Sequence, residues 1–228
     1  MEKYPLVVLP VDDRDLEKKL SMALDYGIDM VELRIDQFSE FSENYVLEKA
    51  KLVKDYNLGI IATVRSKEEG GKFIPDEQRL KIFEAVAGIS DIIDVELTSE
   101  KINRKVVEIA KDEGKLSLVS YHDFDKTPDE DFIQSVIDRA VSLGADIVKF
   151  AFKVNSYEDV SRILCISGKN RDKKVVAIGM GELGKITRVA GFFFGSVLTY
   201  TYIGKSFAPG QIEARKLIEE LKFYGLRS

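Results

Sequence analysis

Short apolar runs alternate with longer amphipathic segments along the whole 228-residue chain, and this alternation constrains the fold more than any other feature. Apolar runs of this length predict buried strands, and the segments between them predict helices. About eight strand–helix units predict an α/β fold, and that number favours a (β/α)8 TIM barrel over a doubly wound sheet of fewer strands with insertions. The predicted strands are 5–11, 29–36, 59–66, 91–97, 115–123, 145–152, 173–180 and 196–203, and the predicted helices are 13–26, 43–56, 76–88, 100–113, 129–143, 156–169, 184–191 and 211–224.

The composition is consistent with one large core, and we expect residues 1–228 to form a single barrel domain. Hydrophobic residues make up 45% of the chain, which is enough apolar material for such a core. The net charge is −5, and the positive residues are interspersed with Glu and Asp. This balance is typical of a solvated surface and argues against a nucleic-acid partner.

We expect neither a leader nor a membrane anchor in this chain. Residues 1–5 lead directly into the first predicted strand, and no apolar stretch approaches the length of a membrane span. Cys165 is the only cysteine, so we expect no intrachain disulfide and interpret this side chain as a small buried hydrophobe. These features predict a protein of the reducing cytoplasm without a membrane partner.

Lys149 lies inside the apolar run 145–152, where its neighbours predict a buried strand. An ammonium group loses hydration in such a place, so its pKa should fall. A neutral amine can attack a ketone and form a Schiff base. Taken alone, Lys149 also fits a side chain that extends from a strand end to solvent or pairs with a carboxylate.

Strand alternation separates a polar set from an apolar set in five consecutive predicted strands. The polar residues fall near the carboxyl ends of the strands, which is where a barrel carries its active site. Ionisable or hydroxyl groups on one such strand would indicate a structural ion pair, but five strands favour a functional mouth. The set comprises Glu32, Arg34, Asp36, Thr63, Arg65, Asp94, Glu96, Ser120, His122 and Lys149.

His122 is the only histidine, and it lies one strand before Lys149. A lone histidine is often structural, but an imidazole near Lys149 could both accept and donate a proton near neutrality. Glu69, just beyond the third strand, could orient it. Arg34, Arg65 and Arg188 supply more positive charge than a neutral substrate requires, and their planar forks suit a carboxylate.

Metal binding is a competing use for the acidic residues of this set. Magnesium would accept carboxylates, but lysine and arginine side chains nearby already neutralise them. No second histidine is available for a zinc site. We therefore expect neither a metal nor another cofactor.

The segment Gly179-Met180-Gly181-Glu182-Leu183-Gly184 matches the spacing of a dinucleotide-binding loop. The acidic residue expected about twenty positions later is missing, and the segment lies in the seventh unit rather than the first. We interpret it as a flexible barrel loop that lets backbone approach a ligand.

Several short motifs follow one another in order along successive barrel units. Each is weakly informative alone, whereas the ordered set is highly specific. The motifs are Glu32-Leu33-Arg34-Ile35-Asp36, Thr63-Val64-Arg65 leading to Glu69-Gly70-Gly71, Asp94-Val95-Glu96-Leu97, Ser120-Tyr121-His122-Asp123-Phe124, the Lys149 strand, Gly179-Met180-Gly181, Thr187-Arg188 before Phe194-Gly195-Ser196, and Ala208-Pro209-Gly210-Gln211.

Over essentially its whole length the chain resembles the type I 3-dehydroquinate dehydratases, barrel enzymes of the shikimate pathway that work through a Schiff base. The resemblance implies a homodimer acting on 3-dehydroquinate. It also implies that Lys149 forms the imine, that His122 is the general base and later the general acid, and that Glu69 supports His122. Substrate hydroxyl groups would be held by Glu32, Arg34 and Arg65, the carboxylate region by Arg188 and Gln211, and the pocket near the lysine would be lined by Met180.

Two positions depart from the family pattern. Phe207 stands where many members have a serine or threonine that contacts substrate, with Ser206 one position earlier. Leu9-Pro10 in the first strand stands where many members place a serine. Substrate contacts from these two loops are therefore left open.

Two other functions remain to be weighed. A class I aldolase or transaldolase also uses a barrel lysine imine, but the arginine set and the ordered motifs argue against it. A barrel retained as a binding or regulatory module would show erosion of the lysine, histidine or arginine set, and none is seen. A dimer could form through the late helices or through the aromatic segment 192–194, which could equally be buried core.

Overall fold

The computed structural model describes residues 5–228 and confirms the (β/α)8 barrel. Eight parallel strands lie in the order β7-β6-β5-β4-β3-β2-β1-β8, and a two-residue strand, β9, pairs with β8. The prediction that no leader precedes the barrel concerns residues 1–4, which lie outside the described residues. The strands are β1 Leu6–Val11, β2 Met30–Arg34, β3 Gly59–Thr63, β4 Ile92–Glu96, β5 Leu116–Asp123, β6 Ile147–Lys153, β7 Val175–Met180, β8 Leu198–Tyr202 and β9 Ile212–Glu213.

The helices fill the intervals predicted for them, with one exception in the seventh unit. There the predicted helix 184–191 is a single α-turn, α7, between two 3-10 turns, Leu183–Ile186 and Gly191–Phe194. The strand predicted over 29–36 also ends early, because the chain turns into a 3-10 helix at Ile35–Gln37. The helices are α1 Leu16–Tyr26, α2 Glu43–Asp55, α3 Asp76–Ala87, α4 Asn103–Asp112, α5 Glu130–Ser142, α6 Tyr157–Lys169, α7 Thr187–Ala190 and α8 Ala214–Phe223.

The two ends of the parallel sheet meet at Val197, which closes the barrel. The backbone N–H of Val197 donates to the carbonyl of Val175 at 2.9 Å, and its carbonyl accepts from Leu6 at 3.4 Å. The barrel interior is a separate apolar cluster to which all eight strands contribute. Its buried members are Leu6, Val8, Met30, Ile61, Ile92, Leu118, Ile147, Ala151, Val176, Ile178, Met180, Val197, Leu198 and Tyr200.

A second and larger core lies between the outer face of the strands and the helices. Val31 and Leu33 of β2 and Val148 and Phe150 of β6 all belong to it, as strand alternation predicts. Complete burial of such a side chain contributes about 1.5–3 kcal/mol to stability. Because the apolar sides of these strands are committed to this core, the intervening polar residues must point into the barrel.

Three aspartates fasten the amino-terminal end of the barrel. Asp29, Asp91 and Asp146 each stand just before a strand, and each carboxylate accepts the backbone N–H of the second residue of the preceding strand. The acceptor–donor distances are 2.8 Å to Val7, 2.7 Å to Ile60 and 2.9 Å to Ser117. These bonds fix register at the face of the barrel opposite the mouth, where side chains serve stability.

Cys165 does not have the buried position that we expected from its apolar neighbours. It lies on α6 and is exposed, because Ile163 and Ile166 form the face of that helix that packs on the barrel. In residues 5–228, no helix combines the length and the apolar content needed to cross a membrane.

Candidate active site

A cavity opens at the carboxyl ends of the strands, and all nine side chains predicted for the site line it. They reach it from different elements, so only closure of the barrel brings them together. The nine residues are Glu32, Arg34, Arg65, Glu69, His122, Lys149, Met180, Arg188 and Gln211.

Lys149 stands in the middle of β6 and points into the barrel, with 5% of its surface exposed. Its Nζ lies 3.4 Å from Asp94 Oδ2 and 3.9 Å from Glu32 Oε1, and it sits 4.2 Å from the centroid of the Tyr200 ring. Burial lowers the pKa of Lys149 below its ordinary value, although the carboxylates of Asp94 and Glu32 act in the opposite direction. The amine is therefore easier to deprotonate than a surface lysine.

Arg65 ties the floor of the cavity together. Its guanidinium donates to Glu96 Oε1 at 3.0 Å, to Ser120 Oγ at 2.7 Å and to Asp94 Oδ2 at 2.8 Å. Burial opposes the charged form of Arg65, but Asp94, Glu96 and Glu32 raise the pKa of Arg65 well above its ordinary value. The guanidinium stays charged and holds Asp94 in place beside the Lys149 amine.

Arg34 and Glu32 project from the carboxyl-terminal half of β2. Arg34 makes a bidentate pair with Asp36, with both hydrogen bonds at 2.9 Å. Glu32 accepts a hydrogen bond of 2.9 Å from the hydroxyl of Thr63 on the neighbouring strand. Since such bonds restrict the rotamers of both side chains, each arrives at the cavity with a defined orientation.

His122 near the end of β5 faces Glu69 from the loop after β3. The ring Nδ1 lies 2.7 Å from Glu69 Oε2, and Thr98 Oγ1 donates to the other oxygen of that carboxylate. Burial raises the pKa of Glu69 to about 7, although the Arg65 charge acts against this. Burial, followed by the positive charges of Arg65 and Lys149, lowers the pKa of His122 well below its ordinary value. A neutral imidazole with a free Nε2 is suited to accept a proton.

Arg188 on α7 is buried, and no carboxylate of residues 5–228 lies within 4.0 Å of it. Its guanidinium is held by backbone carbonyls, with 2.7 Å from Nε to Gly210 and 3.4 Å from its other nitrogens to Tyr200 and Pro209. Burial lowers the pKa of Arg188 to about 10. The charge is thus positioned by neutral acceptors and remains available to an anion in the cavity.

The side-chain amide of Gln211, predicted to contact substrate, makes several hydrogen bonds within the protein. Its Oε1 accepts from Ser206 Oγ at 3.0 Å, from the Phe207 N–H at 2.8 Å and from the Ala208 N–H at 3.2 Å. Its Nε2 donates to the carbonyl of Thr201. Gln211 therefore organises the loop that covers one side of the cavity.

At the two departures from the family pattern, apolar groups line the cavity. Phe207 is one of them, and its ring centroid lies 5.9 Å from the guanidinium carbon of Arg34. Pro10 is the other. The Ser206 hydroxyl is exposed and donates to Ala208 O and Gln211 Oε1 within its own loop.

The glycines of the segment 179–184 serve close packing of backbone on backbone. A Cβ on Gly184 would lie 2.4 Å from the backbone carbon of Gly179. A Cβ on Gly210, which has φ of +74°, would lie 2.3 Å from the carbonyl oxygen of Gly181. These glycines bring β7, its following turn and the loop before Gln211 into close contact, and the expected approach of this backbone to a ligand stays a prediction.

The cavity also has members to which we assigned no role from the sequence. Tyr200 is the most polar of them, and its buried hydroxyl has no hydrogen-bond partner among the described residues. Alternation within β8 carries a signal for Tyr200, because Leu198 two positions earlier belongs to the barrel interior. Phe124 and Ala208 stand in the ordered motifs, but they lie in loops, where strand alternation gives no signal. The other additional lining residues are Pro10, Gly70, Ala151, Ile178 and Phe207.

Carboxylates are numerous at this mouth, and two of them pair with Arg65. Within residues 5–228 no group of three or more His, Cys, Asp or Glu side chains is arranged to hold a metal ion. Asp94 and Glu96 both accept hydrogen bonds from Arg65. The electrostatic role of these acids is to balance buried positive charge.

The barrel mouth thus combines a buried amine, an imidazole held by a carboxylate and an arginine that has no carboxylate partner in the described part of the chain. These groups define a (β/α)8-barrel enzyme with an acid–base site for a small anionic molecule. Comparison with known proteins gives the family.

Residues 6–228 match the family model described as type I 3-dehydroquinase. A 3-dehydroquinate dehydratase of Aquifex aeolicus is 44% identical over 222 residues, which cover 97% of this chain and all of the relative. The crystal structure of the Aquifex aeolicus enzyme superposes with a TM-score of 0.88, covering 96% of this chain and 99% of that one at 42% identity.

A second solved structure is that of the type I 3-dehydroquinate dehydratase from Clostridium difficile with covalently modified comenic acid. It has a TM-score of 0.91 and 29% identity, and it covers 98% of this chain and 93% of that one. The chain belongs to the type I 3-dehydroquinase family, and the resemblance read from the ordered motifs is confirmed. As a member of this family it is an enzyme, a dehydratase of the hydro-lyase class.

Proposed function

We propose that this chain converts 3-dehydroquinate to 3-dehydroshikimate, a step of the shikimate pathway, through a Schiff base on Lys149. Family membership supports the reaction, and the observation that carries the mechanism is the position of Lys149. Its amine is buried beside Asp94 and Glu32 at the same barrel mouth as the His122–Glu69 pair. A surface lysine would lack both the reduced pKa and the adjacent acid–base group.

Imine formation begins with the neutral Lys149 amine. Its Nζ attacks the ring ketone carbon of the substrate, and the carbinolamine that results loses water to give an iminium ion. The positive charge of the iminium replaces that of the former ammonium, so the buried carboxylates of Asp94 and Glu32 stabilise it. The later hydrolysis of the product iminium consumes one water and returns the free amine.

His122 then moves the proton. Its Nε2 removes a hydrogen from the carbon next to the iminium, and the electron pair of that C–H bond passes to the imine nitrogen to form an enamine. When that electron pair returns from the nitrogen to the carbon skeleton, a carbon–carbon double bond forms and the bond to the tertiary hydroxyl breaks. The imidazolium donates its proton to the departing oxygen, so that water leaves. Glu69 holds the ring in place and stabilises the imidazolium between these two steps.

Substrate orientation comes from the remaining members of the set. Arg188, with its backbone-held guanidinium, binds the carboxylate, and Gln211 shapes the adjoining loop and contributes to the same region. Hydroxyl groups of the ring are held by Glu32, Arg34 and Arg65. Met180 at the end of β7 packs against the ring near the imine.

The function is tested by incubating the protein with 3-dehydroquinate and recording ultraviolet absorption. Dehydration places a double bond in conjugation with the ketone, so a new enone band should appear with wild type and should be absent with Lys149→Ala. An aldolase would cleave a carbon–carbon bond and give no such band. Fragmentation of the substrate without the band would reject the dehydratase in favour of the aldolase.

We also propose that residues 1–228 act as one catalytic domain in the cytoplasm and assemble as a homodimer. The late helices offer a surface for assembly, since exposed Tyr157, Ile186 and Tyr224 line a groove between α6, the turns beside α7, and α8. In the aromatic segment 192–194, Phe193 is exposed and open to contact with a second copy, whereas Phe192 packs against the core. Sedimentation analysis should show a dimer that Ile186→Glu dissociates, and a monomeric wild type would contradict this assembly.

A further inference from the structure

Arg79 is a buried arginine outside the cavity. It lies on α3, packed against the outer side of the barrel, with 2% of its surface exposed. Its Nε donates to the carbonyl of Val64 at 3.0 Å, and one terminal nitrogen contacts Asp76 at 3.2 Å and Ser99 Oγ at 3.0 Å. Its other terminal nitrogen lies 2.5 Å from Glu96 Oε2. Because all three nitrogens of this buried guanidinium donate hydrogen bonds, its position is fixed.

Glu96 is shared between this outer arginine and the floor of the cavity. Its Oε1 accepts from Arg65 at 3.0 Å and from the backbone N–H of Ser66 at 3.0 Å. Arg65 in turn holds Asp94, whose Oδ2 lies 3.4 Å from Lys149 Nζ. A continuous series of ion pairs therefore runs from α3 to the Lys149 amine.

The charges of this series balance. Among the buried groups, the three carboxylates of Glu32, Asp94 and Glu96 face the three cations of Arg65, Arg79 and Lys149. Asp76, which also pairs with Arg79, has 42% of its side-chain surface exposed, so solvent screens its charge. Loss of the Arg79 charge would leave an excess negative charge in a buried cluster, and negative charge favours the protonated form of an amine. The groups that face Lys149 itself are Glu32 and Arg34 from β2, Arg65 from the end of β3, Asp94 from β4, His122 from β5 and Tyr200 from β8.

We propose that Arg79 is a positioning residue: it fixes Glu96, and through Glu96 it holds Arg65 and Asp94 around Lys149 and balances the buried negative charge beside that amine. The importance of Arg79 for catalysis rests on the proposed function, because the charge balance around Lys149 affects the reaction only if its amine is the nucleophile. Arg79 itself neither lines the cavity nor contacts any residue assigned to substrate.

The test titrates the Lys149 amine without using the enzyme's substrate. Full-length wild type and variants are methylated with formaldehyde and cyanoborohydride over a series of pH values, and modification of Lys149 is followed by peptide mass. Arg79→Met should move the midpoint for Lys149 upward by about one pH unit, since a positive charge of the same buried series is removed. Arg79→Lys keeps the charge and should stay close to wild type.

Glu96 supplies the matched control. Glu96→Gln removes a negative charge from the same series, so it should move the midpoint downward, and the double variant Arg79→Met/Glu96→Gln should return toward wild type. Because Glu96→Gln leaves Arg79 in place, the test stands even if Arg79→Met fails to fold.

An unchanged Lys149 midpoint in folded Arg79→Met, or in Glu96→Gln, overturns the inference. A shift in Arg79→Lys as large as that in Arg79→Met overturns the role of charge. If the midpoints move as expected but wild type gives no enone band with 3-dehydroquinate, then the proposed function fails and the electrostatic coupling stands.

Discussion

His122 and Glu69 are joined through a single carboxylate oxygen. Oε2 of Glu69 lies 2.7 Å from the ring Nδ1 of His122 and also accepts the backbone N–H of the same residue at 3.1 Å. The two contacts fix both the ring and the backbone that carries it. When Glu69 is ionised it favours the tautomer with hydrogen on Nδ1, which leaves Nε2 free to act as a base.

Activity should therefore depend on the ionisation of Glu69. Its pKa, raised to about 7 by burial, predicts that kcat/KM falls below neutrality by about tenfold for each pH unit, because the protonated acid no longer supports the imidazole. A pH profile of kcat/KM for 3-dehydroquinate measures this acid limb.

Two substitutions should move the limb in opposite directions. Thr98→Val removes the hydroxyl that donates to Glu69, so the pKa of Glu69 and the limb should rise. Glu69→Gln removes the titrating group, and the limb should then fall toward the depressed pKa of His122. A limb that stays near pH 7 in both variants would show that another group controls it.

Replacing His122 with Ala separates imine formation from proton transfer. The variant keeps the Lys149 amine and its ion pairs, so reduction by borohydride in the presence of substrate should still label the protein. Turnover should fall by about a hundredfold or more, because the general base is missing. A wild-type rate in this variant would reject His122 as the base.

Arg188 should govern binding more than chemistry. Arg188→Lys keeps a positive charge but loses the planar fork held by Gly210, Tyr200 and Pro209, so KM should rise by roughly tenfold to a hundredfold with a smaller change in kcat.

Steady-state kinetics measures this division, and an amide analogue of the substrate provides the control. The analogue should lose much less affinity than 3-dehydroquinate when Arg188 is changed. Equal losses for both compounds would show that Arg188 does not read the carboxylate.

Strand alternation predicted the inner surface of the barrel well, because it is a local property of each strand. Glu32, Arg65, His122 and Lys149 all face the cavity as their positions indicate. The same alternation would have found Tyr200 had it been applied to β8.

Contacts made between distant segments could not be predicted in this way. The sequence does not show that Arg79 of α3 contacts Glu96. Nor does it show that the side-chain oxygen of Gln211 accepts hydrogen bonds from the loop 206–208. The prediction that Cys165 is buried was wrong, since a short apolar run does not reveal which of its members faces outward on a helix. Glycine spacing in 179–184 indicated close approach, but not what approaches.

The central claim, that Lys149 is the nucleophile, is tested most directly by trapping the imine. Wild-type protein is reduced with borohydride in the presence and absence of 3-dehydroquinate, and the labelled peptide is identified by mass, with Lys149→Ala as the control. A substrate-dependent adduct on Lys149, absent from the variant, is the expected result. An adduct on another residue, or full turnover by Lys149→Ala, would contradict the account.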